Sequence, residues 1–200
     1  MNKLSQRYFF PSALSKYETL SISNGNGTAE KLGVHYLEYS NPTEATNFDA
    51  LYVNHGFGAS SLSWLPAIPS LTKKIGAKVC LGHDAAGFGF TDRPESLESY
   101  SAAGSARIAT NLLLQKSPST PKSVALFGHS LGALTTLKMA LQLPKETSKF
   151  IVLCAPALGL GKARLSSFSP TKRWWSPIGA AIRRGLVYPI FGYALRRAVG

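Results

Sequence analysis

Ser130 stands between two glycines in the pentapeptide Gly128-His129-Ser130-Leu131-Gly132, within the longer run SVALFGHSLGALTTLKMA. A serine hydroxyl is a weak nucleophile until the backbone presents it and a base takes its proton. The pattern G-x-S-x-G suits presentation, because a glycine on each side permits a tight strand-to-helix turn in which two backbones approach closely. At average composition it arises by chance about once in 15 chains of this length, so its setting decides its weight. Here it follows a buried-type apolar run, SVALF, and opens the amphipathic segment LGALTTLKMALQL.

Acyl transfer also needs two N–H groups aimed at the oxyanion of the tetrahedral intermediate. One would come from Leu131, the residue after the serine, at a helix N-terminus where the dipole favours negative charge. The second would come from a loop after an earlier strand, and Phe57, between Gly56 and Gly58 in VNHGFGASSLSW, suits it. His55 and Gly56 then shape that loop. A third glycine-rich piece, HDAAGFGFTDRP, places Asp84 at the carboxyl end of a strand, where open α/β sheets bind their ligands.

These pieces need a scaffold of strands and helices in alternation. ETLSIS and LGVHYLEYS flank the turn-rich NGNGTAEK and read as a hairpin. DALYVNHG is a short apolar strand, SWLPAIPSLTKKIG a helix with its prolines in the first turns, and AKVCLGHD the next strand. YSAAGSARIATNLLLQK is a helix; then come SVALFG, the elbow helix stopped by Pro144, and the strand KFIVLCAPAL. Continuous apolar strands joined by helical crossovers predict an α/β fold with a mostly parallel sheet covered on both faces.

From about Glu18 to Leu158 the chain resembles the α/β-hydrolase superfamily, in the branch of esterases, lipases and related serine hydrolases. The resemblance rests on His55-Gly56, then Asp84 with Gly87-Phe88-Gly89, then the turn at Ser130, in that order. Gly58 and Ala86 depart from it, standing where many members have proline. It implies Ser130 as nucleophile, Phe57 and Leu131 as oxyanion donors, no cofactor and no metal. Serine at 130 speaks against epoxide hydrolases and haloalkane dehalogenases, whose elbow nucleophile is aspartate.

In this family the acid and the histidine follow the serine along the chain. The four histidines here are His35, His55, His83 and His129, all upstream, and the last carboxylate side chain is Glu146. Glu146 falls at the far end of the elbow helix, some 20 Å from the hydroxyl at 1.5 Å rise per residue. In an elbow the side chain before the serine is directed away from the pocket, which removes His129. His83 could pair locally with Asp84 in a structural role, and His35 on its strand reads as half-buried. KFIVLCAPAL would leave an unpaired apolar edge, a hazard that natural sheets avoid. The expectation is therefore a C-terminally truncated hydrolase, lacking the last two strands and both remaining triad members.

The division expected is an N-terminal extension over 1–17, an incomplete hydrolase core over 18–158 and a partial helical cap over 159–200. Of the 22 Lys/Arg, 9 lie in residues 147–200, where there is no acid. Trp174, Trp175 and Tyr188 sit there among paired arginines at 183/184 and 196/197. As a lid this suggests an apolar acyl substrate and peripheral contact of 162–200 with an anionic membrane surface. No nucleic-acid-binding module surrounds the segment, which argues against that partner. Residues 1–20 are faintly transit-peptide-like, although Pro11 interrupts them, and a cytoplasmic location is favoured. Cys80 and Cys154 fall on strands that the family's order separates by two others, about 14 Å apart at ~4.8 Å per strand and too far for a disulfide. Both read as small buried hydrophobes. Two readings result: a serine hydrolase for acyl esters or related carbonyls, or a non-catalytic fragment or binding protein that keeps the fold.

Overall fold

The computed structural model describes residues 12–23, 29–44 and 47–157. All of them belong to the first of the chain's two units, Met1–Leu158. The cap expected over 159–200 and most of the expected N-terminal extension lie outside the described residues.

Strands β1 (Ser15–Ser23) and β2 (Ala29–Ser40) form the expected hairpin, with Ser15 opposite Leu37 and Ser23 opposite Ala29. The chain continues through β3 (Phe48–Asn54), α1 (Ile68–Ile75), β4 (Ala77–His83), α2 (Ala102–Lys116), β5 (Ser123–His129), α3 (Leu131–Gln142) and β6 (Ser148–Cys154). The six strands lie in the order β1-β2-β4-β3-β5-β6. β4, β3, β5 and β6 pair in parallel, and β2 is the strand that runs against its neighbours. The α/β class and the mostly parallel sheet are as expected.

Alternation along the central strands supplies two cores. Ala50 and Tyr52 of β3, with Val124 and Leu126 of β5, pack with Ile108, Leu112 and Leu113 of α2 and Met139 of α3. Leu51, Val53, Ala125 and Phe127 face the other way, toward Ile68, Leu71 and Ile75 of α1. Burying side chains of this size stabilises by roughly 1.5–3 kcal/mol each before the entropy of ordering is subtracted. The layered arrangement leaves the carboxyl ends of β3, β4 and β5 together at one rim, where the loops of interest begin.

Helix boundaries follow local chemistry. α2 is capped by Ser101, whose Oγ accepts from the Gly104 N–H at 3.0 Å. α1 is shorter than the helix expected over 63–76: a single 3₁₀ turn spans Ser61–Trp64 and the α-helix starts only at Ile68. Pro66 and Pro69 explain the break: neither has an N–H to continue the i→i−4 ladder, and the α-helix begins where Pro69 falls in its first turn, a position that tolerates it. The helix stops at Gly76, which takes the left-handed conformation at φ 71°.

Among the described residues β6 is an edge of the sheet, with Phe150 49% and Ile151 38% exposed. Among the described residues no strand pairs with the outer side of 150–153, where an unpaired apolar edge was expected. Cys80 on β4 and Cys154 on β6 are separated by β3 and β5, as expected, and both thiols are free. Burial pushes the Cys80 thiol up to about 12. Cys154 is exposed, which corrects the reading of both as buried; it ends the edge strand and has no sheet neighbour on its outer side among the described residues.

Candidate active site

β5 delivers its chain straight into the elbow. Its last residues pair with β3 on one side, Asn54 opposite Gly128, and with β6 on the other, His129 opposite Cys154. Ser130 then turns sharply, with φ 53° and ψ −116°, before α3 begins at Leu131. A non-glycine residue in that region carries backbone strain on the order of 1–3 kcal/mol, which persists only where the surroundings over-determine it. The surroundings are visible. The Ser130 N–H donates to the Cys154 carbonyl at 2.9 Å, and its own carbonyl accepts from Ala133 at 3.1 Å and Ala157 at 3.2 Å. Ala155, within that clamp, is itself left-handed at φ 44°.

The flanking glycines are required by contact. A Cβ at Gly128 would meet the Ala133 Cα and the Gly132 carbonyl oxygen at 2.6 Å, far inside van der Waals distance. One at Gly132 would strike the carbonyl oxygens of Asn54 and His55, the latter at 2.5 Å. α3 therefore packs its first turn directly on the end of β3. Ser130 occupies the N-cap position of α3, where serine ordinarily spends its hydroxyl on a backbone N–H, yet it makes no such bond. Among the described residues the Oγ is left uncommitted.

The loop carrying Phe57 lies against this turn. A Cβ on Gly56 would sit 3.2 Å from the Ser130 Cβ and 3.1 Å from the His129 Nδ1. Among the described residues the Phe57 N–H has no acceptor, and the Leu131 N–H, at the first position of α3, has none within its helix. The Phe57 side chain is 79% exposed and meets Phe88 edge-on at 5.6 Å. Gly58 follows in the left-handed region at φ 73°. Proline holds φ near −65°, so this loop could not take the proline that many family members carry here.

His55 holds the loop in place. Its Nδ1–H donates to the Gly56 carbonyl at 2.8 Å, and its Nε2 accepts from the Ala85 N–H at 2.9 Å. A ring that donates from one nitrogen and accepts at the other is neutral with a fixed tautomer. Burial lowers its pKa, consistent with that state. These two bonds join the Gly56 carbonyl to the backbone that follows β4.

Asp84 is fully buried and anchors three segments. Oδ1 accepts from the Ser61 N–H at 2.7 Å and its hydroxyl at 2.6 Å; Oδ2 accepts from the Phe90 N–H at 2.9 Å and lies 2.8 Å from the His35 Nδ1. Burial alone would raise the carboxyl, but the bonds from His35, Ser61 and Phe90 outweigh it and bring it down to about 2. Two expectations are corrected. His35 is wholly buried and is the partner of Asp84 across the sheet, not half-buried. His83 does not pair with its neighbour Asp84, because adjacent strand side chains point to opposite faces. Its Nδ1 meets the Tyr52 hydroxyl at 3.0 Å and its Nε2 the Ser105 hydroxyl at 3.1 Å, and burial pushes its pKa down to about 3.

Ser61 and Asn54 were not singled out from sequence, and His35 was given only a half-buried place on its strand. The contacts that make them matter span 23, 82 and 49 residues, with no local pattern to mark them. Among the described residues no group of three His, Cys, Asp or Glu is placed to hold a metal ion.

The fold agrees with known proteins. The family model described as alpha/beta hydrolase fold matches residues 49–183. An uncharacterized hydrolase of Bacillus subtilis, YugF, is 30% identical over 128 residues, covering 64% of this chain and 43% of the relative. A probable hydrolytic enzyme from Pseudomonas aeruginosa superposes with a TM-score of 0.60 at 21% identity, over 80% of this chain and 46% of that one. Epoxide hydrolase A from Mycobacterium thermoresistibile superposes at 0.52 with 22% identity, over 70% of this chain and 38% of that one. The chain thus spans less than half the length of each of these relatives. Over the span that they share, the sheet, the elbow and the matched model lead to one assignment: the chain belongs to the α/β hydrolase fold family.

Proposed function

We propose that the protein is a serine hydrolase acting on acyl esters or related carbonyl compounds, with Ser130 as nucleophile and the N–H groups of Phe57 and Leu131 as oxyanion donors. The observation that carries this reading is Ser130 itself, held at φ 53° with a hydroxyl that does not cap the helix it begins. The Oγ attacks the substrate carbonyl carbon and passes its proton to a base, while the carbonyl oxygen gains the negative charge that the two N–H groups and the α3 dipole stabilise. Collapse expels the alcohol, which takes up that proton, and water then hydrolyses the acyl-enzyme. Epoxide hydrolases in this superfamily use aspartate at the elbow, so serine here favours acyl chemistry.

The base is the difficulty. His55 has both ring nitrogens engaged, His83 likewise and with its pKa near 3, and His35 lies in the buried contact with Asp84. The acid and histidine are therefore proposed to lie in the part of the relatives' length that this chain does not span. The 200 residues by themselves hydrolyse p-nitrophenyl esters slowly or not at all, since removing the histidine of a comparable triad costs on the order of 10⁶ in turnover. The aromatic, arginine-rich residues 162–200 are proposed to cover an apolar acyl chain and to touch an anionic membrane surface.

Fluorophosphonate labelling tests the reading on two proteins, the 200-residue chain and one extended through the downstream reading frame. The extended protein labels at Ser130, loses the label in Ser130→Ala, and reacts far faster than the shorter chain. Labelling that persists in Ser130→Ala excludes the nucleophile. An inert extended protein supports the second reading, a non-catalytic binding protein, which the structural use of His35, His55 and His83 favours for the residues described.

A further inference from the structure

Beside the elbow lies a small cavity of about 40 Å³, and both proposed oxyanion residues, Phe57 and Leu131, line it. Its walls are otherwise set by the ends of β3 and β4 and the first turns of α2 and α3: Asn54, Ala102, Ser105 and Thr135 among them. A site of one water needs ~10–15 Å³ by this measure, so the cavity accepts only about three such groups. One lining group stands out. Asn54 is 2% exposed; its Nδ2 donates to the Thr136 hydroxyl at 2.9 Å, while its Oδ1 is buried with no partner among the described residues.

An acceptor buried without a donor costs on the order of 1–3 kcal/mol, and in native proteins such a group calls for an explanation. The neighbouring polar groups do not supply the donor. The Ser105 hydroxyl faces the His83 Nε2, and the Ser101 hydroxyl donates to the Glu98 carbonyl while capping α2. We propose that the cavity is a subsite for one short arm of the substrate, two or three heavy atoms long and ending in an O–H or N–H donor that bonds to the Asn54 Oδ1. This rests on reading Phe57 and Leu131 as the oxyanion donors, which places the reacting carbonyl at the cavity mouth. The substrate class is then an ester with one small hydroxylated or amide-bearing arm, the other arm being free to be apolar. The arm is the acyl group or the alcohol, and the chemistry at Asn54 is the same for both.

Matched pairs of esters separate these cases. Ethyl glycolate and ethyl propionate differ on the acyl side by O–H against CH₃; 2-hydroxyethyl acetate and propyl acetate differ likewise on the alcohol side. Each is titrated into the full chain carrying Ser130→Ala, which prevents turnover, with NMR shifts of the Asn54 side-chain amide and the Thr135 methyl as readout. The hydroxylated member of one pair binds about tenfold or more tightly than its partner, as expected when a buried polar group is otherwise left unpaired. Ala102→Leu, which fills the cavity from the first turn of α2, abolishes those shifts. Asn54→Leu removes the preference, and because that change also breaks the bond to Thr136, Ala102→Leu is the independent check. Equal affinities within both pairs, or shifts that survive Ala102→Leu, overturn the subsite. So does an ordered water on the Asn54 Oδ1 that none of the four esters displaces. Binding is read without catalysis, so a Ser130 that stays unreactive in the extended protein refutes the proposed function and leaves this site standing.

Discussion

Replacing Ser130 by glycine makes the chain more stable than replacing it by alanine. Alanine keeps the Cβ and therefore the strain of φ 53°, ψ −116°; glycine occupies positive φ without it. Releasing strain of this kind is worth about 1–3 kcal/mol. Glycine also gains freedom in the unfolded chain, which offsets roughly 0.5–1 kcal/mol of that. The balance favours glycine by about 0.5–2 kcal/mol, a rise in Tm of roughly 1–8 °C at ~2–4 °C per kcal/mol for a chain of this size. Thermal and urea melts at several low concentrations supply the comparison, the dilution series removing any contribution from association through the exposed β6 edge. Ser130→Ala itself stays near the unsubstituted chain, because the hydroxyl makes no capping bond. A glycine variant no more stable than the alanine variant would show that the turn is relaxed, and the reasoning that ties the elbow to a presented nucleophile would fail.

Gly132→Ala drives a methyl into the carbonyl oxygens of Asn54 and His55 and destabilises by about 1–3 kcal/mol or prevents folding, read from the same melts. Stability also falls in acid. His83 is depressed to about 3 by burial, so its contribution is complete above the unfolded value near 6.5 and is lost as pH drops toward 3, about 2 kcal/mol of it by pH 5. His55 acts in the same direction, and Asp84 adds to the loss between about 4 and 2; urea midpoints from pH 7.5 to 5 measure the slope, and His83→Gln flattens it. In the extended protein, Phe57→Pro deletes one oxyanion N–H and slows fluorophosphonate labelling by about 10²-fold, whereas Phe57→Leu keeps the N–H and slows it far less. Equal rates for the two variants would remove Phe57 from the oxyanion hole.

Much of this was legible in the sequence because it is encoded locally. Strand and helix periods, the proline and glycine stops, and the glycines around Ser130 each act within a few residues, and the six strands, α2 and α3 lie where those signals put them. The helix over 63–76 failed for a local reason as well: two prolines three residues apart leave room for a 3₁₀ turn and only then for eight α-helical residues. What escaped was the use of the polar side chains. His83 and Asp84 are adjacent in sequence and face opposite sides of the sheet, so adjacency suggested a pair that the pleat forbids. The real partner of Asp84 is His35, brought there by the β2–β4 ladder, in which Tyr36 stands opposite His83.

That difference bears on the chemistry. Along the sequence, His129 was set aside by the geometry of the elbow, and His35, His55 and His83 by structural readings of their segments; in the structure these last three are set aside by what their nitrogens touch. His55 fixes the loop that offers the Phe57 N–H, His35 meets the carboxylate that pins Ser61 just beyond that loop, and His83 links Tyr52 to Ser105 at the wall of the small cavity. Each is buried, and the two with resolved shifts are held neutral. Imidazoles used in this way cannot also accept a proton from Ser130 without giving up the loop geometry that makes the serine worth activating. On the proposed reading the described residues build presentation, charge stabilisation and a subsite, and proton transfer requires a group that does none of these. A histidine supplied from outside them, with no structural hydrogen bonds of its own to lose, meets that requirement.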